Sequence, residues 1–183
     1  MSTALGLLEF KTVPVALAAT DEMLKAAEVE LVLGTPVCPG KYVTIIRGEV
    51  ANVTTAVRRG TAVGGVFVVD GHVIPNISEE VPPALAGVGE VDHLEALGLI
   101  ETFAAVAAVL AGDLVVKAAR VRLIEIRLAR GLGGKGEVFF TGELGSVEAA
   151  SRAARDRLGQ EGGLASSVVI ARPHPALVRA LSA

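Results

Sequence analysis

Cys38 is the only thiol among the 183 residues of this chain. It lies in the run Val-Cys-Pro-Gly-Lys at residues 37–41, between a proline and a glycine. Proline fixes its own φ angle and glycine admits positive φ, so the run predicts a sharp turn between two strands. We therefore expect the thiol at the tip of a loop, where it would be free, a metal ligand or a redox group.

Other chemically active residues form no constellation in the sequence. Glu9 and Glu101 occupy equivalent places near the ends of two similar strands, but no histidine or aspartate motif accompanies them. His72, His93 and His174 are scattered and lack the spacing of metal ligands. We therefore expect no catalytic site and no enzymatic activity.

A phosphate-binding loop is the alternative interpretation of the glycine-rich turns. Residues 34–41 resemble a Walker motif, but five residues separate the two glycines instead of four. Tyr42 also replaces the serine or threonine that binds Mg²⁺ in such loops. The pattern favours a simple turn between strands.

Composition restricts the partners that this chain can have. Hydrophobic residues make up 51% of the sequence and aromatic residues only 3%, which favours closely packed faces and buried subunit interfaces. The net charge of -3, without a basic block, argues against nucleic acid. The longest windows without charge span about eleven residues, too few to cross a membrane. With no secretory signal at the start of the sequence, we expect a cytoplasmic protein.

An internal duplication organises the chain. Residues 4–9 recur as residues 96–101, an offset of 92. Beyond the cysteine turn the offset is 94, because Gly40 and Lys41 match Gly134 and Lys135. The repeat predicts two tandem domains, residues 1–93 and residues 94–183.

Each copy predicts the element order β-α-β-β-α-β, a ferredoxin-like unit of the α+β class in which helices cover one face of an antiparallel sheet. Thr12 is the expected N-cap of the first helix, followed by Pro14. A short helix is expected near residues 78–86, and another after residue 173. The expected strands are 5–10, 29–37, 42–47 and 65–70, then 96–101, 121–130, 136–141 and 165–171. The expected main helices are 13–27, 48–62, 103–119 and 143–158.

Four segments carry a family resemblance that covers nearly the whole chain twice. Residues 5–9, 21–27, 39–50 and 172–174 resemble the bacterial microcompartment shell domain. The order of the segments is similar to that of the unpermuted, tandem-domain, trimer-forming shell proteins. Residues 37–41 resemble the type found in propanediol-utilisation compartments, which carries an iron–sulfur cluster.

The resemblance implies a homotrimer with the outline of a hexagon, tiling a shell together with hexameric and pentameric shell proteins. Lys25 and Lys117 match the family's edge lysine, and Arg172 matches its edge arginine. The first copy has Ile74 where the second has that arginine, so half of the tile edges would lack it. The resemblance places six residues around a central pore: Cys38, Pro39, Gly40, Leu132, Gly133 and Gly134.

The resemblance also implies a cofactor, one 4Fe-4S cluster per trimer. A cubane cluster normally takes about four thiolates, so one chain cannot hold it, but three Cys38 thiolates on a threefold axis leave one iron free for water, a small molecule or an enclosed redox enzyme. Lys41 could stabilise such a site, although Lys135 repeats it without a cysteine. The alternatives are a pore without a cluster that passes metabolites, and a regulator that binds a small ligand.

Overall fold

The computed structural model describes residues 3–88, 94–129 and 131–181, and these residues form two units of the same architecture. The predicted boundary between residues 93 and 94 adjoins a segment outside the described residues and stays a prediction. The first unit contains β1 (Thr3–Phe10), α1 (Val13–Ala26), β2 (Glu30–Val37), β3 (Lys41–Glu49), α2 (Val50–Gly64) and β4 (Val68–Ile74).

A short helix, α3 (Val81–Leu85), follows the first unit. The second unit repeats the order of the first, which confirms the predicted βαββαβ pattern in both copies. It contains β5 (Ala96–Thr102), α4 (Ala105–Ala118), β6 (Arg122–Leu128), β7 (Gly136–Gly142), α5 (Leu144–Gln160) and β8 (Leu164–Ile170), and α6 (Pro175–Leu181) follows it.

Each unit forms a four-stranded antiparallel sheet, with the order β2-β3-β1-β4 in the first and β6-β7-β5-β8 in the second. The pairing of β1 with β4 shifts register between Glu9 and Phe10. The pairing of β5 with β8 shifts at the equivalent place, between Glu101 and Thr102. The two copies therefore share their irregularities as well as their strand order.

Some predicted boundaries differ from the structure. The last strand of the first unit begins at Val68, because the preceding Gly65–Phe67 forms a turn of 3-10 helix. The strand β3 continues to Glu49, so α2 begins at Val50. Thr12 is the N-cap residue of α1 in an extended conformation, but its side chain makes no capping hydrogen bond.

The two units share a hydrophobic core. Helices α1 and α2 cover one face of the first sheet, where Phe10, Met23 and Ile46 are fully buried. The opposite face carries Leu7, which belongs to one buried cluster together with Val106 of α4. The helix α4 thus packs against both units, and the two domains share one buried interface. Within the described ranges, no helix combines the length and the apolar character needed to cross a membrane.

We predict that Gly98→Ala destabilises the second unit. A Cβ atom at Gly98 would lie 2.3 Å from the ring of Phe140, which is fully buried and cannot move aside easily. Overpacking of this kind should lower the free energy of unfolding by about 1–3 kcal/mol, measured by urea denaturation. The control is Gly145→Ala in α5, where the added Cβ meets open space. That change should stabilise the protein by about 0.4–1 kcal/mol, because alanine restricts the unfolded chain. Equal effects of both changes would contradict the packing described.

Candidate functional site

Cys38 lies where the structure ends β2 and turns into β3. Its thiol is free and exposed, as the sequence predicts for a loop tip. The peptide bond between Cys38 and Pro39 is cis, and Gly40 has a φ of +71°. This left-handed backbone conformation favours glycine and lets the chain reverse within three residues. The turn therefore presents the thiol outside the folded core.

The equivalent turn of the second unit is a glycine-rich loop between β6 and β7. Gly131, Gly133 and Gly134 all have positive φ angles, between +62° and +91°. The loop is closed by a 3.0 Å hydrogen bond from the amide of Ala129 to the carbonyl of Lys135. Leu132 lies at its tip, so this copy presents an apolar side chain and glycines instead of a thiol.

The structure brings the two loops into direct contact. The ammonium group of Lys41 donates a 3.0 Å hydrogen bond to the carbonyl oxygen of Gly134. A Cβ atom at Gly134 would lie 2.7 Å from Cε of Lys41 and 3.1 Å from Cδ of Pro39. The absence of a side chain at Gly134 therefore allows the two loops to approach so closely.

Glu9 stabilises the contact between Lys41 and Gly134. It is fully buried, and its Oε1 atom pairs with the ammonium group of Lys41. Its Oε2 atom accepts a 3.2 Å hydrogen bond from the amide of Val106, in the first turn of α4. A lysine and the positive end of a helix together compensate for removing the carboxylate from water. Glu9 thus joins the cysteine loop, the glycine loop and α4.

Sequence reasoning assigned no role to Glu9, although a signal was present. A glutamate near the end of the first strand and a lysine after the turn occur in both copies, as Glu9 with Lys41 and as Glu101 with Lys135. In the second copy, Nζ of Lys135 lies 3.0 Å from Oε1 of Glu101. These side chains are 42% and 27% exposed, whereas those of Lys41 and Glu9 are 16% and 0% exposed.

The predicted edge lysines both lie in the last turn of a helix, where the negative helix end favours a cation. Lys25 of α1 pairs with Asp21, and the hydrogen bond and charge of Asp21 raise the pKa of Lys25. Lys117 of α4 donates to Oδ2 of Asp113 at 2.6 Å and to the carbonyl of Pro75 at 3.1 Å.

The surroundings of the two lysines differ in the single chain. Asp113 is almost fully buried, and its Oδ1 atom accepts a 2.9 Å hydrogen bond from the amide of Ser78. The segment after β4 is therefore fixed against the end of α4. Arg172 is exposed after β8. Its expected contact lies between neighbouring tiles, so the role of this arginine stays a prediction.

Among the described residues, no group of three or more histidine, cysteine, aspartate or glutamate side chains is placed to hold a metal ion. Nε2 of His72 lies 2.9 Å from Oδ2 of Asp70. Burial alone would raise the pKa of Asp70, but the hydrogen bond and charge of His72 lower it overall. Nδ1 of His174 accepts a hydrogen bond from the amide of Ala176, and His93 lies outside the described residues.

Both halves of the chain match the BMC domain family model, at residues 4–77 and 96–173. The bacterial microcompartment shell protein PduT of Citrobacter freundii is 37% identical over 179 residues, covering 98% of this chain and 97% of that protein. The carboxysome shell protein CsoS1A of Hydrogenovibrio crunogenus is 44% identical over 84 residues, covering 45% of this chain and 85% of that protein. The crystal structure of a microcompartments protein from Desulfitobacterium hafniense has a TM-score of 0.85 and 38% identity, covering 97% of this chain and 98% of that one.

We predict that Glu9→Ala strongly destabilises the chain, because it leaves the mostly buried ammonium group of Lys41 without its carboxylate partner and the amide of Val106 without an acceptor. The loss of unfolding free energy should be about 3–5 kcal/mol in urea denaturation. The matched control is Glu30→Ala, which breaks an exposed ion pair with Arg47. That change should cost less than about 1 kcal/mol. Equal losses for the two variants would contradict the role given to Glu9.

Proposed function

Because the chain belongs to the BMC domain family, we propose that it is a structural shell component of a bacterial microcompartment. In this proposal three copies form a homotrimer, and their six domains make a flat tile with the outline of a hexagon. The relatives that cover most of this chain support the shell role, since they are named as microcompartment proteins. One observation on the single chain supports the trimer: of the two equivalent helices α1 and α4, only α4 is covered on both sides.

The helix α4 is covered on two sides, whereas its counterpart α1 is covered on one. Val109 of α4 is fully buried, but Leu17, the equivalent residue of α1 at the offset of 92, is 53% exposed. Asp113 of α4 is buried, and its equivalent Asp21 is more than half exposed. The face of α1 that the chain leaves open is the face of α4 that the first unit covers.

The second unit exposes the surface that would complement the open face of α1. Strand β4 packs against α4, and its His72 lies opposite Leu7 in the sheet. The equivalent residue of β8 is Val168, which lies opposite Leu99 and is exposed. The exposed apolar strand β8 on the second unit and the exposed face of α1 on the first unit fit a head-to-tail contact between chains. A head-to-tail contact gives a ring when its rotation closes and an open filament when it does not. The proposed trimer is the closed case, in which three chains of two domains make a ring of six.

The contact between Lys41 and Gly134 supports a pore built from both loops. Within one chain this contact holds the cysteine loop and the glycine loop side by side. In the proposed ring, three cysteine loops and three glycine loops alternate around the axis. The residues assigned to the pore are Cys38, Pro39, Gly40, Leu132, Gly133 and Gly134.

The residues of the cysteine loop fit a 4Fe-4S cluster on the proposed threefold axis. The thiol of Cys38 is exposed and free, and no side chain occupies the space beside Gly40. Three copies supply three thiolates, while the fourth iron stays open to another ligand; a bound cluster would supply one-electron transfer to an enclosed redox enzyme. Lys41 is held by Glu9 and Gly134, which supports a structural role for this lysine.

The proposed tile edges give a test of lattice formation. Changing Lys25 and Lys117 together to glutamine removes the charge at both helix ends without placing a carboxylate beside the buried Asp113, so trimers should persist while sheets or tubes disappear. Sedimentation velocity measures the trimer, and negative-stain microscopy of the protein with a hexameric shell protein measures the lattice. The control removes two exposed charges of α5, Arg152→Gln with Arg155→Gln, and should keep the lattice. Wild-type trimers that never assemble but bind a metabolite tightly would favour the regulator instead.

The cluster has its own test. Anaerobic reconstitution of the wild-type protein should give a brown trimer with about four iron atoms, measured by iron analysis and absorption spectroscopy. Cys38→Ala should remain trimeric and colourless, because the change removes every thiol of the chain. A trimer that stays free of iron under these conditions would contradict the cluster and favour an open pore for small metabolites.

A further inference from the structure

We propose that Lys135 of each chain fastens the cysteine loop of the next chain in the ring. Its ammonium group donates a hydrogen bond to the carbonyl of Gly40 of the partner subunit, while Glu101 orients it. Lys135 is thus a positioning residue for the thiol of a neighbouring copy. This inference rests on the proposed trimer and goes beyond it, because it names the group that places the loop.

The contact inside the chain provides the template. Lys41 bridges the carboxylate of Glu9 and the carbonyl of Gly134, at the junction between the first unit and the second. The residue equivalent to Lys41 at the offset of 94 is Lys135, and the residue equivalent to Glu9 at the offset of 92 is Glu101. Lys135 already bonds to Glu101, so the donor and its orienting carboxylate are in place in the single chain.

The acceptor side of the second contact is open. Gly134 is tightly enclosed by Lys41 and Pro39, whereas a Cβ atom on its equivalent, Gly40, would meet nothing within 4 Å. The partial exposure of Lys135 and Glu101 agrees with a contact that a single chain leaves half formed. Lys135 and the open space at Gly40 are thus equivalent to the two halves of the contact that Lys41 and Gly134 make within the chain.

The copies differ in one hydrogen bond. Glu9 also accepts from the amide of Val106, and the residue equivalent to Val106 in the first unit is Pro14. Proline has no N–H group, so the contact between chains lacks this bond. The contact between chains therefore depends more heavily on its lysine than the contact within the chain does.

The test compares Lys135→Gln with Lys41→Gln, which remove the same charge from the two equivalent contacts. Sedimentation over a series of protein concentrations should show that Lys135→Gln raises the concentration of half-dissociation at least tenfold. Lys41→Gln should instead lower the unfolding midpoint at every concentration, because its partners lie in the same chain. Lys135→Arg should restore most of the trimer, since it keeps a charged donor at this position.

A second measurement reports the position of the loop. At concentrations where the Lys135→Gln variant is still trimeric, a trifunctional maleimide should join its three Cys38 thiols with a several-fold lower yield than in the wild type, and Lys135→Arg should recover the yield. Unchanged dissociation together with an unchanged yield would overturn the inference while leaving the trimer intact. A wild-type protein that stays monomeric at all concentrations would overturn the trimer itself, and the inference with it.

Discussion

The carboxylate of Glu9 is the constraint on which the arrangement of the two domains depends. A charge removed from water must be paired, and Glu9 finds its partners on three separate elements: Lys41 after the cysteine turn, Val106 in α4, and through the lysine Gly134. The position of each element therefore depends on the other two. The exposed thiol stands on a turn whose base is held by a buried ion pair, which explains how an exposed loop can have a defined place.

The duplication gives the chain one completed junction, where the first unit packs on α4, and one open junction, where the equivalent face of α1 is exposed. The completed junction buries α4, Asp113 and Glu9, and the open junction leaves α1, Asp21 and Glu101 partly exposed. The apolar character of the sequence, 51% hydrophobic with few aromatic residues, suits a protein in which most faces become covered. In a homohexamer all six loops would be identical, whereas the fused chain can vary one loop without the other.

Most of the fold could be predicted from the sequence, because the repeat aligns eight strands and four long helices with each other. The element order depends on local periodicity, which the residues show directly. The limits of β3 and β4 were less predictable, since a strand can continue to Glu49 or yield to a turn at Gly65 for reasons of tertiary packing. The role of Glu9 was missed because its burial comes from α4, 97 positions further along the chain.

The bond between Lys117 and the carbonyl of Pro75 has a consequence for the order of assembly. It holds the segment after β4 against the end of α4 within a single chain, before any partner arrives. The equivalent lysine, Lys25, pairs with Asp21, and among the described residues no hydrogen bond joins it to a carbonyl of another segment. In the proposed ring the sides of the tile are therefore of two classes: one exists from folding onward, and the other exists only after the ring has closed. It follows from that proposal that a lattice using both classes grows from closed rings and not from single chains.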